Sequence, residues 1–304
     1  MTLSTPSQHA DDSPSFIETA DGRRLAYSEF GTADGHPVIY AHGFPSSRRE
    51  AMLLHPSAVE ANARIIAPDR PGYGESDPAP ERGLIDWSND VALLADRLGL
   101  KRFDLIGVSG GGPYALGCAD RIPERIRGCA LICPLGPIYI DELLNQMNWA
   151  ARANLMIGKQ PQWLGDLMFG SPTTTLLQRW PSLVEEMRSI AAPLADREVL
   201  DQGRTASILN QTIADAMRNG APGARRDLVL YTHDWALNFA DIVTPITIWH
   251  GLADGTAPIE HARWYRDHLP NADLIELPGE GHYSVPLRYS AQILSSLFDA
   301  KPGN

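Results

Sequence analysis

A serine bracketed by glycines, between a strand-like run and a helix-like run, constrains this chain more than any other feature. Phe103 to Val108 is mostly apolar and short enough for a buried strand. Tyr114 to Ala119 is rich in helix formers, and Gly107-Val108-Ser109-Gly110-Gly111-Gly112-Pro113 joins the two. A reversal that sharp predicts a strained, positive-φ backbone at Ser109, where bulky flanking side chains would collide. Gly107 and Gly111 remove those side chains, and Pro113 suits a first helical turn, where no N–H is needed. Two chemistries fit the pattern. A glycine-rich turn at a helix start cradles phosphate, whereas G-x-S-x-G presents a serine nucleophile. A hydroxyl is a weak nucleophile, so the second reading requires a base and an acid elsewhere in the chain.

The rest of the chain alternates in the same way. Phe16 to Thr19 and Arg24 to Phe30 alternate in polarity across Asp21-Gly22, a hairpin signal. Val38 to Ala41 and Ile65 to Ala67 read as strands, with a helical stretch from Arg48 to Asn62 interrupted near Pro56. Asp86 to Leu100 is the clearest helix: Asp86 is placed to cap it, Val91, Leu94, Ala95 and Leu98 recur at helical spacing, and Gly99 ends it. Ile126 to Cys133 is another buried strand. From about Pro137 to His233 strand-like runs disappear. Helix-compatible pieces replace them: Ile140 to Leu155, Pro161 to Met168, Thr173 to Met187, Glu198 to Met217 and Ala224 to Tyr231. Most of their Met and aromatic residues (Met147, Trp149, Met156, Trp163, Met168, Phe169, Trp180) read as core packing. The α/β pattern then resumes with Pro245 to Trp249, the helix Ile259 to His268, the strand Asp273 to Leu277 and a last helix from about Pro286 to Phe298. The fold class expected is therefore α/β, a mostly parallel doubly wound sheet with a helical cap inserted after the sixth strand. In residue numbers this means a disordered tail over 1–15, a core of 16–136 with 234–304, and a cap over 137–233.

Three reactive residues fall just past strand ends: Ser109, Asp254 and His282. In an open parallel sheet those ends gather along one edge, where ligands bind. Alone, Asp254 before Gly255 is an ordinary turn residue and His282 an ordinary packed histidine. Jointly, in the order Ser, Asp, His, they match an acyl-transferring triad. His282 would take and return the Ser109 proton, and Asp254 would orient the imidazole. His42-Gly43-Phe44-Pro45, after the Val38 to Ala41 strand, adds a loop whose Phe44 N–H, with that of Gly110, would hold an oxyanion. Gly43 would allow the close backbone approach, and His42, Gly43, Gly107 and Gly111 would support the site.

On these residues the chain resembles the α/β-hydrolase superfamily, in its capped, esterase- and lipase-like branch. The matching stretches are His42 to Pro45, Asp69-Arg70-Pro71-Gly72-Tyr73-Gly74-Glu75-Ser76, Gly107 to Gly111, Asp254 with Ala257-Pro258, and Gly281-His282. The resemblance implies that Ser109 is the nucleophile, His282 the base and Asp254 the acid. It also implies that the Asp69 to Ser76 segment is structural. Serine at the turn disfavours the epoxide-hydrolase and haloalkane-dehalogenase branches, which carry aspartate there. The leading expectation is a cofactor-independent, metal-free serine esterase with a moderately apolar ester-like small-molecule substrate. Alternatives are the same triad used on C–C, lactone or amide bonds or in acyl transfer, and a receptor-like protein with little turnover. A nucleotide site at Gly107 to Gly112 lacks both the Walker lysine and the dinucleotide-binding glycine spacing.

Composition bounds the partners. The 304 residues carry 26 basic and 37 acidic side chains, a formal charge of -11, which argues against nucleic acid or an anionic membrane as the main partner. No run reaches the roughly twenty apolar residues of a membrane span, and Met1 to Ser15 has no signal-peptide pattern. Cys118, Cys129 and Cys133 cannot all pair and show no C-x-x-C spacing. They are read as buried free thiols, Cys129 and Cys133 on one strand face, which suits a reducing cytoplasm.

Overall fold

The computed structural model describes residues 12–160 and 192–299. Its centre is an eight-stranded sheet in the order β1-β2-β4-β3-β5-β6-β7-β8. The strands are β1 (Ser15–Glu18), β2 (Arg24–Gly31), β3 (His36–Ala41), β4 (Ala63–Pro68), β5 (Phe103–Val108), β6 (Ile126–Ile132), β7 (Ile246–Gly251) and β8 (Ala272–Leu277). β1 and β2 form the expected hairpin, with Ile17 opposite Leu25, and β2 runs antiparallel to β4. From β4 to β8 every pairing is parallel.

Parallel strands covered on both faces should be apolar throughout, and alternate residues should enter opposite layers. All six residues of β5 are buried. Ile39, Ala41 and Leu105 pack with the Trp87–Arg97, Gly112–Arg121 and Ile259–His268 helices, through residues such as Trp87, Leu94, Leu116 and Tyr265. Val38, Tyr40, Ile106 and Val108 pack on the other side with Ala58, Ile293 and Leu297 of the His55–Glu60 and Ser290–Asp299 helices. Asp104 is the exception in this run: fully buried, it is held by the His36 imidazole.

Several local expectations are corrected. The Arg48 to Asn62 stretch does divide near Pro56, but by a change of helix type: a 3₁₀ stretch over Arg48–Leu54 gives way to the helix His55–Glu60, with Pro56 in its first turn. There its missing N–H costs nothing. The Asp86 carboxylate does not cap its helix but turns back to accept the Gly83 N–H at 2.7 Å. Ser15 belongs to β1, so the expected tail does not extend that far. The three cysteines are free and buried, as expected. Cys133, however, has φ of 45° and packs with Ala130 and Ile132, in the layer opposite that of Cys129. A left-handed residue at the strand end breaks the two-residue alternation on which the same-face reading relied.

Between β6 and β7, the described residues form helices Asp141–Gln146, Trp149–Leu155, Leu194–Leu200, Gly203–Ala216 and Pro222–Tyr231. The expected helices Pro161 to Met168 and Thr173 to Met187, with Trp163, Met168, Phe169 and Trp180, lie outside the described residues. Met147 is buried, but Trp149 is 83% exposed, against the expectation that it packs in a core.

The serine turn has the form expected. Ser109 has φ of 52°. A Cβ on Gly107 would lie 2.8 Å from that of Ala115, and one on Gly111 only 2.1 Å from the Ala41 carbonyl oxygen. Gly111→Ala should therefore force the turn off β3 and destabilise the fold by about 1–3 kcal/mol or more, read as a lower urea midpoint. An unchanged midpoint would mean that this packing is looser than the structure has it.

Candidate active site

β5, β7 and β8 end at the same edge of the sheet, with β6 between β5 and β7, and each is followed by one of the three reactive residues. Ser109 follows β5 directly, and its carbonyl accepts the Leu135 N–H at 3.0 Å. Asp254 lies in the tight turn after β7. Its Oδ1 accepts the N–H groups of Thr256 and Ala257 at 2.7 and 2.9 Å, so the turn-residue reading also holds. Its Oδ2 is left to accept from His282 Nδ1 at 2.7 Å. The carboxylate therefore faces the imidazole with one oxygen while the other is locked to the backbone.

Both partners are buried, at 9% and 7% exposure, and each shifts the other. Burial by itself would lower the His282 pKa, but the charge of Asp254 and its hydrogen bond outweigh that, so it lies above the ordinary value of 6.5. Burial would likewise raise Asp254, yet His282 holds it below the usual carboxylate range. The arrangement directs the Nδ1 proton toward Asp254 and leaves Nε2 as the basic nitrogen.

One cavity joins these residues. Ser109 and His282 line it together with Gly43, Phe44 and Glu50, and apolar walls come from Leu54, Leu209, Ile213 and Leu287. Leu209 and Ile213 belong to Gly203–Ala216, so the segment between β6 and β7 reaches the serine edge of the sheet. The Ser109 hydroxyl has no hydrogen-bond partner among the described residues. Serine–base contacts are often long before a substrate arrives.

The loop after β3 meets the serine turn backbone to backbone. A Cβ on Gly110 would lie 2.7 Å from that of Phe44, so the two peptides expected to donate to an oxyanion are neighbours. The Phe44–Pro45 bond is cis. Glu50 Oε2 accepts the Gly43 N–H at 2.6 Å, and burial pushes the Glu50 carboxyl above its ordinary range. His42 is completely buried. Its Nε2 accepts the Arg70 N–H at 3.2 Å, so its Nδ1 carries the proton and donates to the Gly43 carbonyl at 3.0 Å. Within the Asp69 to Ser76 segment, Asp69 pairs with the buried Arg48 at 2.7 Å, a structural role as expected.

Sequence reasoning passed over one carboxylate beside His282. Asp196, 2% exposed on the Leu194–Leu200 helix, accepts the N–H groups of His282, Tyr283 and Ser284 at 2.9, 3.0 and 2.8 Å. It thereby fixes the turn that carries the imidazole. No local signal marks it, because one acid in an amphipathic helix reads as solvated surface. Among the described residues, Cys133, Asp254 and His282 also bring three possible metal-binding atoms within 4.8 Å of one another. Burial raises the Cys133 thiol well above its ordinary pKa.

Residues 36–288 match the family model described as alpha/beta hydrolase fold. The chain belongs to that family. It is similar to the dihydrolipoyllysine-residue acetyltransferase component of the acetoin cleaving system of Pseudomonas putida, 31% identical over 266 residues. That match covers 86% of this chain but only 62% of the relative. The uncharacterized hydrolase YcgS of Bacillus subtilis is 25% identical over 278 residues, covering 87% of this chain and 90% of YcgS. The structure resembles an esterase from Exiguobacterium antarcticum, with a TM-score of 0.71 at 19% identity over 94% of this chain and all of that one. At that identity the likeness concerns the fold. No helix among the described residues is long and apolar enough to cross a membrane.

Two expectations follow. Since catalysis by His282 would need the neutral imidazole, kcat/KM should fall as pH drops through a pKa above 6.5. In Asp254→Asn that limb should move to lower pH, because the carboxylate no longer stabilises the imidazolium, with kcat down by about four orders of magnitude. A pH–rate profile of both proteins checks the sign. Separately, Asp196→Ala strands backbone N–H groups in the interior and should cost about 2–4 kcal/mol, measured by chemical denaturation. A loss of no more than a few tenths of a kcal/mol would show the three hydrogen bonds to be unimportant.

Proposed function

We propose that this chain is a cofactor-independent serine hydrolase of carboxylic esters, working through an acyl-enzyme on Ser109. The observation that carries the reading is the buried His282–Asp254 pair at 2.7 Å, opening on the same cavity as a serine held at φ of 52°. Ser109 Oγ attacks the ester carbonyl while His282 Nε2 takes its proton. The oxyanion is met by the N–H groups of Phe44 and Gly110. The collapsing intermediate expels the alcohol, protonated by His282, and water repeats the cycle on the acyl-enzyme.

The segment 137–233 acts as a cap over this site, supported by the presence of Leu209, Thr212 and Ile213 in the cavity wall. Apolar walls suit a moderately apolar small-molecule substrate. Acyl transfer is the second reading, favoured by the name of the Pseudomonas putida relative. An acyl-enzyme yields to whichever nucleophile enters, so an added alcohol or thiol that captures the acyl group faster than water would support transfer.

The test is labelling by a fluorophosphonate and turnover of aryl esters of increasing chain length, beside Ser109→Ala and His282→Ala. Each substitution should remove turnover by on the order of a million-fold, and Ser109→Ala should abolish labelling. Turnover that survives in Ser109→Ala would take that serine out of the mechanism.

A further inference from the structure

Five side chains from four parts of the chain converge on Asp227, which is completely buried on the Pro222–Tyr231 helix. Its Oδ2 accepts from Arg70 Nη2 at 3.0 Å and Tyr73 at 2.8 Å, and the Tyr231 hydroxyl lies 3.2 Å from it. Its Oδ1 accepts from Arg82 and Tyr114, each at 2.5 Å. One carboxylate thus serves two guanidiniums.

The surplus donors of Arg70 lead to the loop after β3. Its Nη1 donates to the His42 carbonyl, and its Nη2 to the Gly43 carbonyl at 2.9 Å. The Gly43 carbonyl also accepts from His42 Nδ1, so both its lone pairs are engaged. That carbonyl and the Phe44 N–H belong to one peptide group. Hydrogen bonds to the oxygen of an amide draw charge from its nitrogen and strengthen the N–H as a donor. On the other side, the Tyr231 hydroxyl donates to the Gly110 carbonyl at 2.8 Å, so the same cluster also touches the second arm.

We propose that Arg70, held in place by Asp227, is the positioning residue of the oxyanion hole: its guanidinium fixes and polarises the Gly43–Phe44 peptide. This rests on the ester-hydrolase reading above. Arg70 does not meet substrate; it acts through Phe44. Its fork spans two successive carbonyls and a carboxylate at once, a geometry that the single ammonium of lysine does not reproduce.

The experiment compares the full chain with Arg70→Met and Arg70→Lys. It measures hydrolysis of a para-nitrophenyl ester and inhibition by an aryl trifluoromethyl ketone, whose serine adduct carries a negative oxygen, against the matching methyl ketone. Loss of a whole oxyanion donor costs about a hundred- to thousand-fold in kcat. Misplacing one should cost Arg70→Met about 10- to 100-fold, with KM little changed. Trifluoromethyl ketone affinity should fall in step with kcat, while methyl ketone affinity holds. Arg70→Lys keeps the charge opposite Asp227 and should fall between the two. If Arg70→Met does not fold, Arg70→Lys carries the test.

A folded variant that melts earlier, yet keeps kcat and trifluoromethyl ketone affinity within about twofold, overturns the proposal; only its packing role would then remain. A wild-type chain that neither turns over esters nor takes a fluorophosphonate overturns the hydrolase reading, and the proposal with it. Wild-type turnover with unaffected Arg70 variants overturns the proposal alone.

Discussion

The close approach of the serine turn to the end of β3 is the constraint on which the rest of the structure depends. With Gly111 against the Ala41 carbonyl and Gly110 against Phe44, two loops from adjacent parallel strands share one small volume. The serine turn has no room for a side chain at Gly110 or Gly111. Its backbone can therefore lie directly against the loop after β3, and a polar layer elsewhere holds the two loops in register. The left-handed Ser109 is tolerated for the same reason: β5, the Gly112–Arg121 helix and the Leu135 N–H determine its backbone on both sides.

That polar layer is costly on its own terms. Arg70, Arg48, Asp69 and Asp227 are all withdrawn from water, and buried ion pairs often contribute little net stability against an apolar replacement. Here desolvation is offset by extensive hydrogen bonding, since Asp227 alone accepts from two arginines and two tyrosines. Removing one member leaves the others buried and underpaired, so the cluster is an all-or-none element. Its position links the segment between β6 and β7 to the loop after β3 and to the serine turn. Asp196 makes a second link, from the Leu194–Leu200 helix to the turn bearing His282. That segment thus contributes carboxylates to the architecture of the site as well as apolar walls to its cavity.

The sheet was legible because its strands announce themselves by short apolar runs with turn residues at their ends. Ser109, Asp254 and His282 stood out because each lies within five residues of the end of such a run. What escaped was whatever depends on distance through space. Asp196 and Asp227 sit in helical pattern, where an acid is indistinguishable from a solvent-facing residue until the packing partner is known. Cys133 changed layers because a single left-handed residue cannot be read from a side-chain sequence. Asp86 looked like a helix cap, but its carboxylate found a nearer N–H at Gly83. Arg70 lay inside a recognised segment, yet its three acceptors come from the loop after β3 and from a helix more than 150 residues later.

The two carboxylates nearest the imidazole differ in kind, and that difference bears on how the base could work. Asp254 faces the ring and is held ionised by it, so it acts on the proton. Asp196 spends its oxygens on three backbone N–H groups of the residues that carry the ring, so it acts on position. A second carboxylate facing the imidazole would have stabilised the protonated form further and weakened its return of the proton to a leaving alkoxide. Directing Asp196 to the backbone avoids that while still adding negative charge near His282, which contributes to the raised pKa. Asp196 thus holds the backbone that carries the ring, while both carboxylates favour its protonated form, Asp254 more strongly through its direct hydrogen bond.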